Sequence, residues 1–212
     1  MNCKAFIFDM DGVLVDSEGY WKQAEFEVFT ALGVKVTDEG ALLTKSMTTI
    51  EVVRFWYNKF PWETVAFDTV EQLVISRVIA FIEAEDCLIA GVKPFIEKLK
   101  KDKYKIGLAT NSPNRIIPVV LKKLGVLHLF DATLSAEHEL KGKPDPAIYQ
   151  SAADKLGAKP EQCIVIEDSY SGMLAAKSAG MKVIAFTYKG SSIKFEIADF
   201  QINSFEGCEI DF

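Results

Sequence analysis

The sequence predicts an α/β protein: a parallel sheet with helices between its strands, and an all-helical block inserted straight after the first strand. Three observations lead there. An apolar run containing Phe6, Ile7 and Phe8 stops abruptly on Asp9-Met10-Asp11-Gly12, as a buried strand does on entering a turn. Residues 18–86 then carry apolar positions at helical spacing and no convincing strand. From Gly91 onward, short apolar runs alternate with helical stretches of about 10–15 residues, the pattern of right-handed βαβ units.

Each element follows from local pattern. Trp21, Ala24, Val28, Phe29 and Leu32 recur at helical spacing, with Gly33 as a stop. Ile50, Val53 and Tyr57 mark a second helix, interrupted at Pro61, and Val70, Leu73, Val74, Val78, Phe81 and Ile82 a third. Gly91 and Pro94 open a helix through Phe95, Ile96 and Leu99, and the strand Ile106–Thr110 follows. A helix from Pro113, with Ile116, Ile117, Val120, Leu121 and Leu124, closes on Gly125. After the short strand Ala132–Leu134 comes a loop holding Gly142, Lys143 and Pro144, then a helix through Ile148 and Leu156 to Gly157. The strand Cys163–Ile166 ends on Glu167-Asp168, a helix of small residues runs to Ala179-Gly180, and Val183–Phe186 and Phe200–Ile202 complete the sheet. The expectation is a Rossmann-like core of residues 1–17 and 87–212 with a helical domain of residues 18–86.

Composition bounds the function. A chain of 212 residues, 49% of them hydrophobic, can bury one sizeable core and a smaller accessory domain. A net charge of −6 without any Lys/Arg cluster excludes a nucleic-acid or anionic-membrane surface. No run of about 18 apolar residues predicts a membrane span, and Asp9 and Asp11 break any signal-peptide core. Cys3, Cys87, Cys163 and Cys208 are scattered without a CxxC pair, which fits free thiols in a reducing cytoplasm.

In a parallel sheet all carboxyl ends share one edge, where open α/β folds build their ligand sites. That edge receives Asp9 and Asp11, then Thr110, Asn111 and Ser112, then Lys143, then Glu167 and Asp168. Singly each has an ordinary explanation. Asp-x-Asp-Gly is turn composition, Thr110-Asn111-Ser112-Pro113 and Glu167-Asp168-Ser169 resemble helix caps, and Lys143 suits a solvated loop. Together they supply phosphoryl chemistry. Asp9, Glu167 and Asp168 at close quarters would repel unless a cation sat among them, and hard oxygen ligands favour Mg²⁺. Thr110 and the helix start behind it suit an anion, while Lys143 offsets both a carboxylate and a phosphate. His128 and His138 lie outside these strand ends and are assigned no catalytic role.

Asp9 to Ser17, Thr110, Lys143-Pro144 and Glu167-Asp168 resemble, in order, the four motifs of the haloacid dehalogenase superfamily, over essentially the whole chain. The helical insert resembles the cap of its β-phosphoglucomutase-like and phosphoglycolate-phosphatase-like subfamily. The resemblance implies that Asp9 is the nucleophile, forming an aspartyl-phosphate, and that Asp11 is general acid and then base. It implies a Mg²⁺ site of Asp9, Asp11 through its backbone carbonyl, and Asp168, with Glu167 direct or through water. Gly12, Thr110, Asn111 and Lys143 would hold the phosphate, with Trp21 and Lys45 reaching it or its substituent from the cap. A true dehalogenase lacks the second aspartate, so Asp11 points to phosphate esters.

The implied function is a Mg²⁺-dependent phosphatase acting on a small sugar or polyol phosphate, with no nucleic-acid or membrane partner, as a cytoplasmic monomer. The alternatives are a phosphosugar mutase, a phosphoglycolate phosphatase, and a silent binding domain. The mutases carry a histidine where this chain has Trp21, which argues against phosphate transfer back to the sugar. Ser17-Glu18 with Trp21, Val52-Val53 with Trp56-Tyr57, Pro61-Trp62 and Asn111-Ser112-Pro113 look similar to bacterial 2-deoxyglucose-6-phosphate (hexitol phosphate) phosphatases. Relatives often place Gly-x-Arg in the cap; here Ser46-Met47-Thr48 stands there, with Lys45 the nearby cation, either a substitute for that charge or an exposed lysine. Trp56, Tyr57 and Trp62 divide between cap core and a sugar-stacking surface, with core favoured by their spacing.

Overall fold

The computed structural model describes residues 3–45, 47–63, 65–188 and 194–208. Strand β1 (Ala5–Phe8) is followed by helices α1 (Glu18–Ala31), α2 (Asp38–Thr44), α3 (Thr49–Lys59) and α4 (Phe67–Ala84). The remainder alternates: α5 (Val92–Lys101), β2 (Lys105–Thr110), α6 (Ile117–Leu124), β3 (Ala132–Ser135), α7 (Ala147–Leu156), β4 (Cys163–Glu167), α8 (Tyr170–Ser178), β5 (Lys182–Phe186) and β6 (Phe200–Ile202). The six strands form one parallel sheet in the order β3-β2-β1-β4-β5-β6. The α/β class and parallel sheet expected from the sequence are therefore present.

Alternation within the buried strands sends residues to opposite faces. Phe6, Phe8, Ile106, Leu108, Ile164 and Ile166 face one side, in a cluster that continues through α5 and α6 into the helical block as far as Trp56 and Val74. Ile7, Ala109, Val165 and Val183 face the other, covered by α7 and α8 through Tyr149, Ala152, Ala153, Ala175 and Ala176. The small alanine side chains let those helices lie close to the sheet.

In the helical block, Trp56 and Trp62 are buried and packed against Phe29, with ring centroids 6.1 and 6.2 Å from it. Tyr57 meets Trp62 edge-on at 5.1 Å, so this aromatic group is core. Helical spacing did not reveal α2, a seven-residue helix capped by Thr37, whose Oγ1 accepts from the Gly40 N–H at 3.1 Å. It leaves Leu42 and Leu43 exposed and so has no apolar stripe. Helix α3 starts on a capping box, with the Thr48 N–H donating to Glu51 at 2.7 Å. Ser46, part of the segment that replaces Gly-x-Arg, lies outside the described residues.

The chain enters and leaves the block side by side. The Asp16 N–H donates to the Cys87 carbonyl at 2.8 Å, the Ile89 N–H donates to Leu14 at 3.1 Å, and Val15 bridges Leu88 antiparallel. Among the described residues no helix is long and apolar enough to cross a membrane, and the four cysteines are free thiols.

Candidate active site

The register of the sheet assembles the site. Phe8 lies opposite Leu108 and Ile166, so Asp9, just past the end of β1, is level with Ala109 and Glu167 at the ends of β2 and β4. β1 is central, and its carboxyl end opens between the ends of β2 and β4.

Lys143 joins these ends. Its Nζ donates to Asp9 Oδ1 at 2.6 Å, to Glu167 Oε1 at 2.6 Å and to the Ala109 carbonyl at 2.9 Å, using all three of its protons. The ammonium is buried and lies 4.9 Å from the centroid of the Tyr149 ring. Burial alone would lower its pKa, but Asp9 and Glu167 more than offset this and hold it well above the usual lysine value. Asn111 fixes the loop, its Oδ1 accepting from the Lys143 backbone N–H at 2.9 Å. Gly142 in that loop comes close to the helical block: a Cβ there would lie 3.1 Å from Thr48 Cγ2.

Glu167 is fully buried and its oxygens have partners. Oε1 accepts from Lys143 and from the Tyr149 hydroxyl at 2.9 Å; Oε2 accepts from the Ser169 N–H at 3.0 Å and hydroxyl at 2.9 Å. Asp9, Glu167 and Asp168 each present an oxygen within 4.8 Å of the others. Burial pushes the Asp9 carboxyl up to about 8 against the pull of Lys143, with Glu167 and Asp11 adding repulsion. Burial also pushes Asp168 well above the carboxylate range, reinforced by Glu167 and Asp9. Two buried carboxyl groups held back from ionising, with Glu167 beside them, are a donor set that a small divalent cation relieves. The Asp168 carboxylate reaches this position only beside a glycine: Gly12 has φ +77°, and a Cβ there would lie 2.1 Å from Asp168 Oδ2.

Asp11 is held apart from that trio. Its Oδ1 accepts from the Ser17 hydroxyl and from Trp21 Nε1 at 2.9 Å, and its Oδ2 from the Ser112 hydroxyl at 2.6 Å. An indole N–H can only donate, whereas a hydroxyl can reverse. Trp21 thus keeps Oδ1 an acceptor and directs a proton on Asp11 to Oδ2. Ser112 is itself placed by its N–H to Thr110 Oγ1, at 3.0 Å, and by the Ser135 hydroxyl on its carbonyl at 2.7 Å.

The structure thus brings together Asp9, Asp11, Gly12, Thr110, Asn111, Lys143, Glu167 and Asp168. Trp21 arrives as well, with its polar atom committed to Asp11. Lys45 stands elsewhere, its ammonium paired with Glu18 at 2.8 Å, both side chains exposed. The sequence places Ser112 at this edge and Ser17 in the first motif without giving either a role, and gives no sign of Tyr149 or Gly172. Nothing in the sequence pairs Tyr149 with Glu167.

A model of the haloacid dehalogenase-like hydrolases matches residues 3–180. Hexitol phosphatase B of Escherichia coli K12 is 36% identical over 203 residues, covering 94% of this chain and 91% of that protein. The β-phosphoglucomutase of Bacillus subtilis is 31% identical, covering 84% and 80%. Among solved structures, CbbY from Rhodobacter sphaeroides in complex with phosphate superposes with a TM-score of 0.85 at 25% identity, covering 97% of this chain and 96% of that one.

Proposed function

The chain belongs to the haloacid dehalogenase-like hydrolase family, and from that premise we propose that this phosphatase hydrolyses small sugar or polyol monophosphates through an aspartyl-phosphate on Asp9. The carrying observation is that two aspartates two residues apart have opposite settings. Asp9 sits buried against Lys143, and Asp11 is oriented by Ser17, Trp21 and Ser112. These settings support reading Asp9 as the nucleophile and Asp11 as the proton carrier.

In the first half-reaction the Asp9 carboxylate forms a bond to phosphorus as the ester P–O bond breaks, and Asp11 gives its proton to the departing alcohol. In the second, Asp11 takes a proton from the water that attacks phosphorus, freeing inorganic phosphate and Asp9. Lys143, held by Glu167 and Tyr149, keeps a positive charge against Asp9 and the phosphoryl oxygens. Thr110 and Asn111 line the anion side. We assign Mg²⁺ to Asp9, Asp168 and the Asp11 backbone carbonyl, with Glu167 orienting the set; bound there, it would neutralise carboxylates and draw charge from the phosphoryl group.

The sugar- or polyol-phosphate reading is supported by the 36% identity to a hexitol phosphatase across nearly the whole chain. The mutase reading draws on the 31% identity to a β-phosphoglucomutase, but Trp21 stands where those enzymes carry histidine and its N–H is spent on Asp11. We take residues 18–86 as a cap domain over the site, and the free thiols support a reducing, cytoplasmic setting.

The test is phosphate release with Mg²⁺ from a panel of sugar, polyol and two- or three-carbon phosphates, alongside an aryl phosphate. Turnover should favour a hexose or hexitol ester and vanish in Asp9→Ala. Full activity in that variant would sink the mechanism, and transfer of phosphate within one sugar instead of release would establish a mutase.

A further inference from the structure

Residues three and four apart share a helix face, so positions 18, 21, 25 and 29 form one stripe along α1. Its other members locate the stripe. Glu18 pairs with Lys45 at 2.8 Å, where α2 gives way to the segment leading to α3. Trp21 reaches the proton-carrying Asp11 at 2.9 Å. Phe29 packs into the aromatic core on Trp56 and Trp62. Glu25 lies on this stripe one turn beyond Trp21 and one turn before Phe29.

Glu25 is half-buried, beside the fully buried Ala24 and Phe29. Among the described residues it makes no hydrogen bond or ion pair. The nearby acidic side chains are otherwise engaged: Glu18 has Lys45, and Glu27 takes Arg77 at 2.5 Å. A carboxyl withdrawn from water without a partner is unfavourable, and an apolar residue would serve packing better.

We propose that Glu25 is a specificity-determining residue whose carboxyl binds a hydroxyl on the carbon chain of the substrate, beyond the reacting phosphate. The inference rests on the sugar- or polyol-phosphate reading and deepens it. Burial raises this carboxyl to about 7, so near neutrality it can accept from a hydroxyl in one form and donate to it in the other. The same group disfavours a second anion. A phosphate ester ending in a carboxylate, or a bisphosphate, would set like charge against it in a site withdrawn from water.

Glu25→Ala and Glu25→Gln in the full chain, with Mg²⁺, test this on sorbitol 6-phosphate, p-nitrophenyl phosphate and phosphoglycolate. In Glu25→Ala the preference for sorbitol 6-phosphate over the aryl ester, as a ratio of kcat/KM, should fall about tenfold or more, mainly through KM. Glu25→Gln keeps hydrogen-bonding capacity and should hold that ratio within about threefold, while improving phosphoglycolate relative to the aryl ester. Parallel loss on both esters, or no loss on either, overturns the role of Glu25. If the unsubstituted protein hydrolyses the aryl ester but no sugar or polyol phosphate, the substrate reading falls and takes this inference with it.

Discussion

A Cβ on Gly172 would lie 1.8 Å from Glu167 Oε1, so the first turn of α8 and the buried carboxylate fit together only because one methyl is missing. Gly172 also donates its N–H to Ser169 Oγ at 3.1 Å, and Ser169 in turn holds Glu167 Oε2. Helix propensity alone would make Gly172→Ala stabilising by about 1 kcal/mol. The contact predicts the reverse: a lower melting temperature, and kcat/KM reduced about tenfold or more as Glu167 releases Lys143. Thermal melts and aryl phosphate kinetics check both, and a more stable, fully active variant would contradict the packing argument.

Trp21 acts through Asp11. Trp21→Phe keeps the ring and removes the N–H, and kcat should fall about tenfold or less, by the same factor for every ester. A loss confined to the KM of sugar phosphates would instead place the indole on the substrate, as the sequence suggested.

Lys143 is the counter-charge for two buried carboxylates. Lys143→Met should cost about 3–5 kcal/mol, because Asp9 and Glu167 are left facing each other uncompensated, and should abolish turnover. Denaturant unfolding measures the loss. Added Mg²⁺ should recover part of the stability without restoring activity, since the cation binds only the folded carboxylates.

Metal-free stability should depend on pH through Asp9. Its carboxyl is raised to about 8 in the folded protein and returns to about 4 on unfolding. Between those values the folded state holds the extra proton, so stability is greatest at the acidic end and falls as pH rises toward 8. Asp168, also raised by burial, adds to the fall with the same sign. Melting temperatures from about pH 5 to about pH 8.5 in a chelator should decline, less steeply in Asp9→Asn. Identical slopes would remove Asp9 from the account.

Much of this was legible because a parallel sheet sends every strand's carboxyl end to one edge. Asp9, Thr110 and Glu167 are recognisable as polar residues closing apolar runs, and Lys143 as the cation in the loop between β3 and α7. Tyr149 and Gly172 escaped because their importance is purely a matter of contact: one is a helical tyrosine among apolar neighbours, the other a glycine where a helix tolerates alanine. Glu25 looks like any polar helical position in the sequence; its lack of partners among the described residues emerges only in the fold. The helix α2 escaped because it turns Leu42 and Leu43 to solvent, so no periodic stripe marks it.

The paired segments on which the helical block stands, Leu14 to Asp16 alongside Cys87 to Ile89, give the chain an unusual modularity. To the sheet, everything between them is a single loop whose ends are already closed, and closure entropy grows only slowly with loop length. Loop closure therefore adds little to the cost of lengthening, shortening or exchanging the block, and what a replacement must restore is the apolar cluster that the block shares with the sheet. Two of its residues are not free to drift, since Ser17 and Trp21 lie past the tie yet hold Asp11. Asp11 is thus held jointly by the permanent scaffold and the replaceable part, and a grafted block would have to bring its own donors at those two positions to hold it in the same way.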